Sequence, residues 1–454
     1  MYSSLRQALT LSALSSVVFG VTLIGNAPFA VPGFLGINTA YAQQLSPSQR
    51  QYFLSDPLSQ KPRDPLLPMP SVDRPLSPLE LSAVADSLDE LNQSAQENLA
   101  IGNDDEAFAL WLRELRLRRV FGPVAEFQAI RRVAGPAWNQ QRSVEVQLLT
   151  LRTREIWQTV QAALNQDLPD DRSPATPAAL GEESPDVLAD KPEQVLVSGG
   201  VESDVAVLAA IAQTFSTLRD IDSAVEVYQQ LIQLTLAQGG DPTAQQQELA
   251  ELHLRWFQFA DAADVYLALL KDAKDQGNQI QETAYLEQLT YSYQQADSLV
   301  NAVRAQTDLI ALYQAQGQVE KLPELLLAIA QNYRILNQHR SAIEYYRAAY
   351  SAAQRFEQFS FSAQVLQDLG TLYRSLALTD EALGAYSLLV PVEQQAYNAY
   401  GVMNAYDSMG QIYRRQGNSL EALKAFEKAL VIANQLSLRE DYFIEQIESV
   451  TPNR

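Results

Sequence analysis

Residues 403–429 read MNAYDSMGQIYRRQGNSLEALKAFEKA. Tyr406, Met409, Gly410 and Tyr413 are separated by three, four and seven residues, the spacing that places side chains on one face of a helix. Gly417 and Asn418 interrupt the pattern, and Ala422, Phe426 and Ala429 resume it. A small alanine followed by an aromatic suits a second helix packing closely on the first, so the stretch reads as helix, turn, helix.

The same set returns every 40 residues, marked by Tyr293, Tyr333, Tyr373 and Tyr413. Seven residues before each tyrosine stands Leu286, Leu326, Leu366 or Tyr406, and nine after it stands Ala302, Ala342, Ala382 or Ala422. Tyr346, Tyr386 and Phe426 follow, then Ala349, Leu389 and Ala429. Two earlier copies carry Ala224 with Tyr228 and Ala262 with Tyr266, and there Phe215 and His253 take the tyrosine's place. Six copies are expected over 204–442, starting near residues 205, 243, 283, 323, 363 and 403. Gly239, Gly277 and Gly317 fall where a left-handed residue closes a helix. Residues 438–454 are expected to form a capping helix and tail that cover the apolar edge of the last copy.

This pattern resembles the tetratricopeptide repeat (TPR) family, with Tyr406, Met409, Gly410, Tyr413, Gly417, Ala422, Phe426 and Ala429 at the family's marker positions. The period departs from the family's usual 34 residues, and no proline ends the repeat. The resemblance implies an all-α solenoid, a right-handed superhelix of helix-turn-helix repeats, acting as a binding module.

The protein has 454 residues with a formal net charge of -21 from 33 basic and 54 acidic residues. So acidic a protein is repelled at long range by nucleic acid and anionic membranes, so neither is expected as a partner. Without cysteine there is no disulfide, thiolate chemistry or lipid-modified cysteine. The two histidines, His253 and His339, leave little for acid–base or metal chemistry. His253 reads as a buried, hydrogen-bonded core residue and His339 as an exposed turn residue.

Arg6, the apolar run Ala8 to Gly25 and Ala40-Tyr41-Ala42 give residues 1–42 the grammar of a signal peptide, the alternative being an uncleaved membrane anchor. Export to the periplasm or a comparable extracytoplasmic compartment is the corresponding expectation, and the protein is similar in this to exported, cyanobacterial-like TPR proteins. Residues 43–77 are rich in proline and read as an extended linker. Residues 78–165 read as a helical block with one or two degenerate repeats, in which Leu91, Ala95, Gly102, Ala107 and Trp111 keep the spacing. Residues 166–203 read as an acidic, proline-rich disordered linker. Its carboxylates Asp167, Asp170 and Asp171 read as solvated, with a cation site as the alternative.

Positions 2, 5, 9 and 12 of each first helix form one stripe, which in TPR proteins lines the concave groove. Arg334, Arg374 and Arg414 recur at position 12, with Arg415 beside the last and Gln331, Gln367, Thr371, Asn404 and Gln411 nearby. Guanidinium forks suit carboxylates and amides suit peptide backbone. The stripe therefore fits an extended acidic segment or a free C-terminus, against the alternative that its arginines pair with Glu324, Asp368 and Asp407. A second basic island, Trp111 to Arg154, holds nine arginines against three glutamates, among them Arg113, Arg116, Arg118, Arg119, Arg131 and Arg132. It is expected either to grip an anionic partner or to be neutralised by the acidic linker.

No phosphate-binding glycine loop, nucleophile triad or metal-ligand spacing is present in the sequence, so no enzyme activity, cofactor or metal is expected. The functional expectation is a protein-interaction scaffold or assembly factor. The alternatives are a metal-delivery or photosystem-assembly protein, by family analogy, and a self-associating structural solenoid.

Overall fold

The polypeptide divides into two units, Met1–Gly200 and Val201–Arg454. The computed structural model describes residues 45–59, 62–68, 74, 76–166 and 204–451. The expected signal peptide at 1–42 and acidic linker at 167–203 lie outside the described residues. Among those described there are eighteen α-helices and no strand.

The second unit is built of six helix pairs: α6 (Asp204–Leu218) with α7 (Ile221–Ala237), α8 (Thr243–Arg255) with α9 (Phe259–Asp275), and α10 (Gln279–Gln295) with α11 (Leu299–Ala315). Then come α12 (Leu322–Ile335) with α13 (His339–Arg355), α14 (Phe359–Ser375) with α15 (Thr379–Gln395), and α16 (Ala399–Arg415) with α17 (Ser419–Leu436). A last helix, α18 (Glu440–Val450), follows. Each helix packs on the next one in sequence.

The turns explain why the pairs repeat so regularly. Within each pair the residue after the turn donates its N–H to the carbonyl of the marker residue five before it: Asp220 to Phe215, Gln258 to His253, Ser298 to Tyr293, Gln338 to Tyr333, Leu378 to Tyr373 and Asn418 to Tyr413. This is a Schellman closure, which needs one left-handed residue and satisfies helix-end carbonyls. Gly239, Gly277 and Gly317 supply that residue between pairs, with φ of 72°, 67° and 72°.

The alanines and aromatics of the repeat form the core. Ala302, Ala342, Ala382 and Ala422 are fully buried, as are Tyr346, Tyr386 and Phe426. Gly410 shows how closely the helices of a pair approach, since a Cβ there would lie 2.6 Å from the Phe426 ring. His253 is buried, with Nδ1 2.8 Å from Gln258 Oε1. His339, read as an exposed turn residue, instead opens α13 and is half-buried.

In the first unit α2 (Pro78–Ala100) pairs with α3 (Asp104–Arg118), and α4 (Pro123–Asn139) with α5 (Ser143–Gln166). Ser77 and Glu80 form a capping box that starts α2. Trp111 is buried edge-on to Phe108, at 5.3 Å between ring centroids, and donates its indole N–H to Asn92 at 3.0 Å.

The described part of 43–77 departs from the extended linker read in the sequence. Pro47–Leu54 is a helix, α1, started by a Ser46–Gln49 capping box. Phe53 is 3% exposed, and Leu67 is 2% exposed in a cluster with Val84, Leu88 and Leu117. Two apolar anchors and a good cap suffice to hold a segment that proline content alone marks as extended.

Candidate functional site

The first-helix stripe of the second unit is open in the middle repeats. Arg334 is exposed, Arg374 half-buried, and neither has a carboxylate at ion-pair distance among the described residues. Two of the three acids offered as their partners are turned elsewhere: Asp368 accepts from Gln331 Nε2 at 2.9 Å, and Asp407 from Arg439 at 3.1 Å. Burial and the Asp368 carboxylate push the buried Tyr346 hydroxyl up to about 12, against the pull of the Arg334 guanidinium. Gln367 is half-buried, and Thr371 is exposed with its hydroxyl donating to the Gln367 carbonyl at 2.8 Å.

The last repeat differs, because α18 lies against it. Arg414 Nη1 donates to Gln446 Oε1 at 2.5 Å, and Gln411 Nε2 to the Tyr442 hydroxyl at 3.1 Å. Asn404 Oδ1 accepts from Arg439 at 3.1 Å, and the Tyr442 hydroxyl donates to Asp407 at 3.0 Å. Arg415 is exposed. The ladder of three arginines read in the sequence is therefore an open pair, Arg334 and Arg374, followed by a position engaged by the protein's own C-terminal helix. Beside the apolar packing of Phe443 and Val450, these polar contacts come from a segment with no repeat signature, so the sequence pattern carried no sign of them.

The basic island of the first unit is engaged within that unit. Arg118 and Arg132 both pair with the fully buried Glu114, and Arg118 also with Asp89. Arg119 and Arg152 pair with the buried Glu126, at 2.9 and 2.8 Å. Arg131, half-buried, stands beside Arg132 on α4. Arg113, Arg116 and Arg119 are spaced by three and hold the 45–68 segment. Arg113 donates two hydrogen bonds to Asp64 at 2.9 and 2.8 Å, Arg116 lies over the Tyr52 ring at 4.2 Å, and Arg119 donates to the carbonyls of Phe53 and Ser55 at 2.7 and 3.1 Å. Carboxylates on neighbouring helices and this segment engage much of the island; the acidic linker expected to neutralise it lies outside the described residues.

The Arg113 hydrogen bonds hold the Asp64 carboxyl below the usual aspartate range. A carboxyl depressed in the folded state contributes stability above the ordinary aspartate range near 4 and loses it as pH falls through the lower folded value. Acidification from about pH 5 to about pH 2 is therefore expected to lower the protection from hydrogen exchange, relative to the unstructured rate at each pH, over 47–54 before α2 to α5 open. In Asp64→Asn that protection should already be lowered at neutral pH; equal protection in the two proteins would show that Arg113 does not hold the segment.

The tetratricopeptide repeat profile matches residues 205–237, 323–356 and 404–435, three of the six helix pairs, in the register of the core alanines and aromatics. The second unit carries tetratricopeptide repeats. A search of curated proteins finds no match. Among solved structures the protein is similar to BtubC from P. vanneervenii, at 19% identity and TM-score 0.34, over 48% of this sequence and 90% of that one. It is also similar to MamA, at 21% identity and TM-score 0.32, over 43% and 93%. The putative kinesin light chain TPR-like repeats of Podosopora anserina follow at 16% and 0.33, over 42% and 94%. The assignment rests on the profile and its register, not on these likenesses.

With these repeats the molecule is a protein-interaction scaffold. No helix among the described residues is long and apolar enough to cross a membrane, and no three His, Asp or Glu side chains among them are grouped to hold a metal ion. One surface feature of the TPR stack was not read from the sequence: Phe257, Phe259 and Tyr291 form a run of exposed and half-exposed rings. Its signal was available, since Phe257 stands where other copies place small or polar turn residues.

Proposed function

We propose that the second unit binds an extended acidic peptide segment, internal or at a partner's C-terminus, along the stripe of its first helices, and that the protein serves as an assembly or scaffolding factor outside the cytoplasm. The observation that supports this is the open arginine pair: Arg334 and Arg374 hold the same repeat position on adjacent first helices, without ion-pair partners among the described residues and with Gln331, Gln367 and Thr371 between them. Guanidiniums held by no carboxylate among the described residues can meet a ligand's carboxylates, and the amides and hydroxyl can meet its backbone.

The test is calorimetric titration of the full-length protein with a synthetic peptide carrying glutamate at every third residue. Arg334→Ala with Arg374→Ala should weaken binding at least tenfold, about 1.4 kcal/mol, and leave the melting temperature unchanged, because exposed charges add little stability. Affinity should fall with added salt, and lysine at both positions should restore it only in part. Equal affinity of the wild-type and double-alanine proteins would sink the reading. Export rests on the signal grammar of residues 1–42. Recovery from the host's extracytoplasmic fraction with Gln43 as first residue is the expected result, and recovery from the cytoplasm the contrary one.

A further inference from the structure

Five of the six helix pairs place an aromatic four residues after the core alanine of the second helix: Tyr228, Tyr266, Tyr346, Tyr386 and Phe426. That ring sits on a small residue of the first helix, as Tyr386 does on Gly370 and Phe426 on Gly410. The third pair breaks the rule. Gln306 takes the aromatic's place on α11, and Thr290 takes the place of the small residue on α10. On α12, the first helix of the fourth pair, Asn332 stands where later copies have Leu372 and Ile412.

All three polar side chains are buried. Asn332 Nδ2 donates to Gln306 Oε1 at 2.9 Å, across the seam between the third and fourth pairs. The buried Thr290 hydroxyl has no hydrogen-bond partner among the described residues. Two further departures fall at this seam. A cleft of about 350 Å³ opens between α11 and the end of α12, lined by Val300, Val303, Thr307, Tyr333 and Leu336. A 3₁₀ turn, Val319–Lys321, leads into α12, whereas the first helices of the next two pairs start as α-helix at the equivalent Phe359 and Ala399.

We propose that this seam is a hinge: the first three and the last three helix pairs are two stiff arms, and the angle between them changes as α12 slides on α11. A ring held between packed helices resists their separation, because parting them exposes its apolar faces to water. An amide pair resists less, since each amide exchanges its partner for water as the seam opens. Close-packed side chains transmit displacement rigidly. The cleft leaves α12 room to move without driving its neighbours, which is the shear mode of packed helices. A partner that fits one angle better than another then selects it from those the free protein samples. The hinge does not depend on the acidic-peptide reading, because Arg334 and Arg374 lie together on the C-terminal arm.

The protein has no cysteine, so introduced pairs of cysteines can carry nitroxide labels for pulsed electron resonance on the full-length protein. Lys271→Cys with Ser351→Cys spans the seam. Ser351→Cys with Val431→Cys spans as many helix pairs without it, and all three exposed sites hold the same repeat position. The first distance distribution should be about twice as wide as the second, as for one sliding joint among locked ones. Thr290→Ala, Gln306→Tyr and Asn332→Leu together copy Ala330, Tyr346 and Leu372 from the next seam. They should narrow the first distribution to the width of the second and leave the second unchanged. Asn332→Ala removes the amide hydrogen bond and should widen the first further. Equal widths in the wild type overturn the hinge: both narrow would leave the amides the role of fixing which pairs stack, and both wide would spread the flexing over the whole stack. A wide first distribution that neither variant alters places the motion elsewhere and overturns it too. Should the triple variant lose helical circular dichroism, Asn332→Ala decides, and no widening in it overturns the hinge.

Discussion

Phe426→Ala is expected to destabilise the C-terminal repeats by about 3–5 kcal/mol, the range for truncating a buried aromatic. Phe426 is fully buried on α17 with Met403, Ala422, Ala429 and Phe443. Gly410 on α16 gives this result a sharper form. A methyl at that position would stand 2.6 Å from the Phe426 ring, so Gly410→Ala in the wild type should cost about 1–3 kcal/mol through overpacking. In the Phe426→Ala background the methyl has room, and the helix gains about 1 kcal/mol from alanine over glycine. The sign of Gly410→Ala should therefore reverse between the two backgrounds, read by hydrogen exchange in α16 and α17. The same sign in both would mean that the glycine is not kept by the ring.

The second large effect belongs to the first unit. Glu126 is 2% exposed and holds Arg119 and Arg152. Burial pushes the Arg119 guanidinium below its ordinary pKa, opposed by the Glu126 charge. Glu126→Ala leaves the Arg119 guanidinium in that interior without its counter-ion and Arg152 with Glu155 alone, at 2.8 Å, at a cost of about 3–5 kcal/mol. Replacing all three together, by Arg119→Met, Glu126→Leu and Arg152→Met, should recover most of that loss, because apolar side chains of similar volume owe no desolvation. Recovery should not extend to 45–59, since Arg119 also holds the carbonyls of Phe53 and Ser55. Chemical denaturation measures the first outcome and hydrogen exchange over 47–54 the second. A loss under about 1 kcal/mol in Glu126→Ala, the scale of a solvated ion pair, would show that water reaches the pair.

The repeat itself was legible because its signal is local and multiplied. Alanine and aromatic positions such as Ala382 and Tyr386 are fixed by contact between two helices joined by a short turn, so six copies restate one rule. The 45–68 segment was missed because its anchors act singly: Phe53 and Leu67 form no period, and Asp64 meets Arg113 across 49 residues. The Ser46–Gln49 capping box was the one local sign of α1. The arginines were found, and their partners were not. Charge composition showed a surplus around Arg113 to Arg132, but its pairing with Glu114, Glu126 and Asp64 is set by distances that only the fold fixes. Likewise Arg414 shares the register of Arg334 and Arg374, and only the return of α18 separates it from them.

Packing of each helix on its successor also decides how fast the second unit forms and how it comes apart. Contacts between residues near in sequence require little loop closure, so folding belongs to the fast, low-contact-order regime. Nucleation in any pair of helices can then propagate in both directions, as in a one-dimensional array of coupled units. Unzipping follows the same line from the ends. At the C-terminal end the hydrogen bonds of Arg439, Tyr442 and Gln446 to α16 act as a latch. Releasing them is the first step of opening there, and it frees Arg414 while the rest of the stack stays folded.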